Sequence, residues 1–131
     1  MILVVDDEPS LVEAMSSILE DEGYLVTTAP DGLAALRAMH DGLRPCLAIL
    51  DLMMPKMSGW ELRAAMLADP TLADIPVAIV SAFARGDMPS LRPNAVLQKP
   101  FELSQIVELA DRYCGPFVTG AVTVSADPTA R

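Results

Sequence analysis

Basic residues are scarce in this chain. Nine Lys and Arg stand against 18 Asp and Glu, a formal net charge of −9 at pH 7 over 131 residues. DNA, RNA and anionic lipid are held by Lys and Arg arrayed over one face, so the composition argues against direct contact with nucleic acid or a membrane surface. Cysteine is rarer still, at two residues. Cys46 and Cys114 have no CxxC or Cys/His spacing, so neither a zinc site nor a disulfide framework is expected, and both read as buried small hydrophobes. The lone histidine, His40, reads as a polar surface residue near a helix end rather than a ligand or a phosphodonor. No apolar run approaches the roughly 18 to 20 residues that cross a bilayer. The first residues also lack the basic start and small-residue cleavage site of a secretory signal, so a cytoplasmic protein is expected. No GxGxxG turn is present to cradle a nicotinamide dinucleotide.

What is present is apolar residue in quantity, 52% of the chain. A single domain of this length buries roughly two-thirds of the unfolded chain's surface. Short apolar runs alternate with stretches of helical period, the pattern of a parallel sheet covered on both faces. The strands are expected at Ile2 to Val5, Tyr24 to Thr28, Cys46 to Leu50, Val77 to Val80 and Ala95 to Leu97. Pro9 opens the first helix, with Leu11, Met15, Ile18 and Leu19 on one stripe and Gly23 as its stop. Asp31 caps the second, which turns Leu36, Met39 and Leu43 inward. Ser58 or Gly59 begins the third, with Leu62, Ala65 and Met66 inward. Gly86, Pro89 and Pro93 leave space for only one or two turns between the fourth and fifth strands, a shortened fourth helix. A last helix carries Leu103, Ile106, Val107 and Ala110 and ends at Gly115-Pro116. The fold class is α/β, a doubly wound parallel sheet whose ligand site lies beyond the carboxyl ends of the strands.

Chemistry-bearing residues fall on that edge. Asp6 and Asp7 follow the first strand, Asp51 the third, Ser81 the fourth and Lys99 the fifth. Three carboxylates on one rim repel one another unless a cation sits among them. All-oxygen ligands with open water positions suit Mg²⁺ or Mn²⁺. A divalent ion beside a carboxylate nucleophile, with an ammonium and a hydroxyl nearby, meets the needs of phosphoryl transfer. Asp51 would then become an aspartyl phosphate.

The chain resembles the response-regulator receiver domains of bacterial two-component systems. The resemblance rests on Ile2-Leu3-Val4-Val5-Asp6-Asp7-Glu8, on Leu50-Asp51-Leu52-Met53-Met54-Pro55 followed by Ser58-Gly59, on Val80-Ser81-Ala82 and on Lys99-Pro100-Phe101. It covers residues 1–114 as the receiver domain; residues 115–131 form a C-terminal extension, expected to pack on the domain or on a neighbouring molecule. It implies a flavodoxin-like, chemotaxis-regulator-like sheet of order 2-1-3-4-5. It also implies that Asp51 is the phosphoacceptor, that Asp7 binds the metal directly and that Asp6 acts mainly through water on the ion. The backbone carbonyl of Met53 would add a metal ligand, Ser81 would hydrogen-bond the phosphoryl group and Lys99 would contact it. The Lys99-Pro100 bond would be cis. A histidine kinase or a histidine phosphotransfer protein would donate the phosphoryl group, and an unnamed downstream protein would read the altered surface. Such a chain is not an enzyme in the usual sense, because it catalyses only its own phosphorylation and dephosphorylation.

Two features depart from the family pattern. Val96 stands where receivers usually carry a Tyr or Phe that swings inward, and the interval from Ser81 to Lys99 is about one helical turn short. The face beside these residues is where many receivers dock partners or form a homodimer, so the signal is expected to leave by another surface. Met53 and Phe83, bulky and apolar, flank the site and imply slow self-dephosphorylation. Met54 and Met57 read as adaptable packing, and Trp60 as a partly buried aromatic. The rival reading is a pseudo-receiver, the same fold acting as a protein-interaction module without phosphorylation. A haloacid-dehalogenase-type hydrolase needs a second Asp where Met53 stands, and Asp6-Asp7-Glu8 would repel a flavin phosphate.

Overall fold

A computed structural model describes residues 1–82 and 92–115. The elements are β1 (Ile2–Val5), α1 (Pro9–Asp21), β2 (Val26–Ala29), α2 (Gly32–His40), β3 (Leu47–Asp51), α3 (Gly59–Ala68), β4 (Val77–Ser81), β5 (Ala95–Gln98) and α4 (Leu103–Cys114). The strands form one parallel sheet in the order β2-β1-β3-β4-β5. The expectation of a shortened fourth helix between the fourth and fifth strands falls on residues 83–91, outside the described residues, as does the predicted packing of the extension from 116 onward.

Local signals place these elements. Pro9 is at the first helical position of α1, where its missing N–H costs nothing. Asp31 caps α2 by accepting from the Ala34 N–H at 2.8 Å. Ser58 and Glu61 form a reciprocal capping box at the start of α3. Every residue of β1, β3 and β4 is buried, as a strand covered on both faces requires. The helices α2 and α3 close one apolar layer over Leu3, Val5, Leu50 and Ile79. The opposite layer is built by α1 and α4 over Ile2, Val4, Ile49 and Val80.

The second strand begins two residues later than expected. Tyr24 is buried but serves as a tether, its hydroxyl donating to Asp111 and, at 2.8 Å, to the Gly115 carbonyl. Leu109, rather than Val107, is a fully inward residue of α4. Arg63 is also buried, where helical period alone predicts an exposed cation; it donates to the Arg92 carbonyl at 2.9 Å.

The cysteine reading requires correction. Cys46 and Cys114 are joined in a disulfide, with Cα atoms 5.4 Å apart and 68 positions between them in sequence. Both side chains are half-buried rather than buried. The reason is topological. In a parallel sheet with crossover helices, each helix runs back against the strands, so the carboxyl end of α4 reaches the level where β3 begins. Cys46 precedes β3 and Cys114 closes α4, which brings the two sulfurs together at the edge opposite Asp51.

Candidate functional site

The order of the sheet reverses between β1 and β3, and the site stands beyond that point. Register sets its layout. Val5 pairs with Leu50, so Asp6 and Asp51 continue neighbouring strands side by side, and Ser81 pairs with Gln98, one residue short of Lys99. The Lys99 N–H donates to the Ser81 carbonyl at 2.9 Å, carrying the ladder to the last site residue. The Lys99-Pro100 bond is cis.

Oxygen atoms of Asp6, Asp7 and Asp51 all lie within 4.8 Å of one another. Asp6 and Asp51 are buried, 3% and 5% exposed, while Asp7 faces solvent. The Lys99 ammonium reaches in from β5, 3.4 Å from Asp6 Oδ2 and 3.7 Å from Asp51 Oδ2. The Glu8 N–H donates to Asp6 Oδ1 at 2.9 Å and fixes that carboxylate. A weaker bond of 3.4 Å runs from the Met53 N–H to Asp51 Oδ1. The Met53 side chain turns outward and is 64% exposed. Ser81 is 1% exposed at the end of β4. Val96 lies on β5 at 40% exposure, and Phe83 falls outside the described residues. His40 is on the surface, 3.7 Å from Asp69, as a polar surface residue should be.

Burial raises the Asp51 pKa above its ordinary value of 3.8, and the neighbouring Asp6 charge adds to the effect; Lys99 opposes it. One ammonium does not balance three carboxylates. Hard oxygen donors converging on one point, with Asp51 shifted above the ordinary carboxylate range by burial and by its acidic neighbour, fit a divalent oxygen-seeking ion such as Mg²⁺. The residue types therefore match the metal that the resemblance implies.

The raised pKa has a sign. The native state holds the Asp51 proton to higher pH than the unfolded chain does, so stability falls as pH rises from the ordinary carboxylate range through the native value. Asp51→Asn is expected to stabilise the metal-free protein at pH 7 by on the order of 1 kcal/mol, an effect typical of single substitutions. The gain should vanish near about pH 3, where both states are protonated. Urea melts of parent and variant at the two pH values check this, and equal stability at pH 7 would refute it.

The family model for the response regulator receiver domain matches residues 2–111. This chain belongs to the receiver family. A 14.6 kDa uncharacterized protein of Leptolyngbya boryana is 36% identical over 120 residues, covering 88% of this chain and 91% of the relative. The DNA-binding response regulator MtrA of Mycolicibacterium smegmatis is 41% identical over 81 residues, 62% of this chain. That match takes in 34% of MtrA, so the receiver corresponds to about a third of the regulator. Among solved structures, the receiver domain of a sensor histidine kinase from Pseudomonas aeruginosa superposes with a TM-score of 0.78 at 25% identity, covering 87% of this chain and 96% of that chain. That protein holds a magnesium ion in its active-site cleft. The response regulator TrrA of Thermotoga maritima, solved with Mg²⁺-BeF, gives a TM-score of 0.75 at 32% identity, over 86% and 96% of the two chains.

The receiver's sequence did not disclose everything that shapes the site. Gly59, read there as a helix start, packs directly on the end of β3: an added Cβ would lie 2.3 Å from the Asp51 carbonyl oxygen and 2.8 Å from Leu52 Cα. Gly32 makes a similar approach to the loop beyond Asp51, where a Cβ would meet the Met57 carbonyl oxygen at 2.5 Å. The signal for both was a glycine at the first turn of a helix, a position that otherwise accepts almost any residue.

Proposed function

We propose that this receiver is a phosphorylation switch in which Asp51 accepts a phosphoryl group from a phosphohistidine on a histidine kinase or histidine phosphotransfer protein. One observation carries the reading: three carboxylate groups and the Lys99 ammonium converge on a single point at the open edge of the sheet. Asp6 and Asp7, with Asp51 and the Met53 carbonyl, would hold Mg²⁺ there, as the magnesium in the Pseudomonas receiver supports. Mn²⁺ suits the same donors. The bound ion supplies positive charge that neutralises the phosphoryl oxygens and draws Asp51 into its ionised form.

The chain's own groups do the rest. The Asp51 carboxylate attacks phosphorus, an O–P bond forms, and the N–P bond to the donor imidazole breaks with its electron pair returning to the ring nitrogen. Lys99, already aimed at Asp51, neutralises charge on the transferred group. Ser81 supplies a hydroxyl at the end of the adjacent strand. Rigid strand ends hold these groups in place, so little reorganisation precedes transfer. The phosphoryl group then shifts the domain between two surfaces through its differential contacts with Ser81 and Lys99. The chain catalyses only its own phosphorylation and dephosphorylation, acts in the cytoplasm and signals to a protein partner.

Incubation with acetyl phosphate and Mg²⁺, followed by intact mass, tests this. One added phosphoryl group is expected on the parent. None is expected on Asp51→Asn or on protein stripped of metal. A parent that stays unmodified with Mg²⁺ bound would instead mark the domain as a pseudo-receiver that works by binding alone.

A further inference from the structure

We propose that Cys46 and Cys114 form a reversible thiol–disulfide switch that sets how the last turn of α4 is held to the sheet. The pair lies at the sheet edge opposite Asp51, and the phosphoryl chemistry does not use it.

Three features support a switch over a passive staple. Both cysteines are half-buried at the edge of the domain rather than sealed in its core, the placement that exchange with a small thiol in the folded state requires. The bond joins an element's end rather than its middle. Ile106, Leu109 and Ala110, the inward residues of α4, all precede the final turn and are buried against β1, β3 and β4. Opening the bond therefore releases the last turn while leaving the helix seated. Apart from the half-buried Tyr113, which packs on the edge of the apolar layer, the remaining ties of that turn are polar: the Tyr24 hydroxyl bonded to Asp111 and the Gly115 carbonyl, and the Tyr113 hydroxyl bonded to the Asn94 carbonyl at 3.0 Å. The Tyr113 bond is exposed and open to competition from water, so with the sulfurs apart the turn is free to loosen, and the sulfur bond chooses between a held and a loosened arrangement.

The exchange balances with a low-molecular-weight thiol as reductant. Its thiolate attacks one sulfur, a mixed disulfide forms, and the other cysteine leaves as thiolate and takes up a proton. A second thiol attacks the mixed disulfide and frees the remaining cysteine. Two electrons and two protons have then passed to the protein, and the small thiol has become its own disulfide.

The test uses the whole chain without denaturant, equilibrated in graded ratios of reduced to oxidised glutathione, then acid-quenched, alkylated and weighed, with amide exchange run in parallel. Both cysteines are expected to become alkylatable while the protein stays folded. At labelling times of seconds, too short for global unfolding to contribute, amide exchange over residues 109–115 should rise roughly tenfold or more on reduction while β1 and β3 stay protected. Cys46→Ser and Cys114→Ser should each exchange like the reduced parent and gain no protection over residues 109–115 at any glutathione ratio, whether or not the remaining thiol carries glutathione. Three results would overturn the proposal: sulfurs that react only in denaturant, reduction that strips protection from β1 and β3 as well, or identical exchange in the two redox states. If either variant fails to fold, the parent's own titration decides. No phosphodonor enters the assay, so its outcome is independent of the chemistry at Asp51.

Discussion

Replacing both cysteines with alanine is expected to lower the free energy of unfolding by about 4 kcal/mol. The bond spans 68 positions, and cross-linking a loop of that length removes about 4 kcal/mol of chain entropy from the unfolded ensemble on the loop-closure model. Against the roughly 5 to 15 kcal/mol that holds a domain together, such a loss is large yet survivable. The double variant should therefore remain folded, with a lower urea midpoint. Cross-linked unfolded chains expose less surface, so the variant's denaturant slope should also be steeper than the parent's. Urea melts of the parent, oxidised and reduced, and of the double variant check this. The reduced parent should track the variant. A variant as stable as the oxidised parent would mean that the loop entropy is offset by native-state distortion and that the bond contributes no net stability.

The fold was legible because its signals are local. Strand-like runs between helical stripes, a proline at N1 and acidic or hydroxyl caps all act within a few residues, and each element appeared where those signals stood. The strand ends carried the site for the same reason: once the sheet is parallel, the residues that close or follow the strands must fall on a common edge, and Asp51 and Ser81, which close β3 and β4, and Asp6 and Lys99, which follow β1 and β5, do so. What escaped depends on contacts distant in sequence. Cys46 and Cys114 meet only because α4 returns across the sheet, and no local pattern encodes that pairing. Tyr24 looked like a strand residue by propensity, yet its hydroxyl is claimed by the end of α4. Arg63 is buried because its guanidinium finds a carbonyl at Arg92, 29 positions away, which helical period cannot anticipate.

A methyl group at position 59 should cost more than any other single methyl near the site. Alanine favours a helix over glycine by about 1 kcal/mol, so propensity alone predicts that Gly59→Ala stabilises α3. Sterics oppose it. The new Cβ would stand 2.3 Å from the Asp51 carbonyl oxygen, 2.8 Å from Leu52 Cα and 3.0 Å from the Asp51 carbonyl carbon, all backbone atoms of a buried strand end that cannot rotate aside. Overpacking of this kind costs about 1 to 3 kcal/mol where side chains can yield, and more where only backbone can move. Sterics win, and a net destabilisation of about 3 kcal/mol is expected. The relief available is a shift of the α3 start away from β3, which would also drag the end of β3 and with it the Asp51 carboxylate. Misplacement by about 1 Å can slow a positioned reaction a hundredfold, so phosphorylation by acetyl phosphate should fall on that scale even where the variant is folded. Gly42→Ala supplies the control. An added Cβ there meets nothing within 4 Å, and its cost is the positive φ of +113° alone, far from the acidic edge. It should lose about 1 kcal/mol of stability with an unchanged phosphorylation rate. Chemical denaturation and intact-mass kinetics on the two variants separate the effects. A Gly59→Ala protein phosphorylated as fast as the parent would show that the close approach of α3 does not position Asp51.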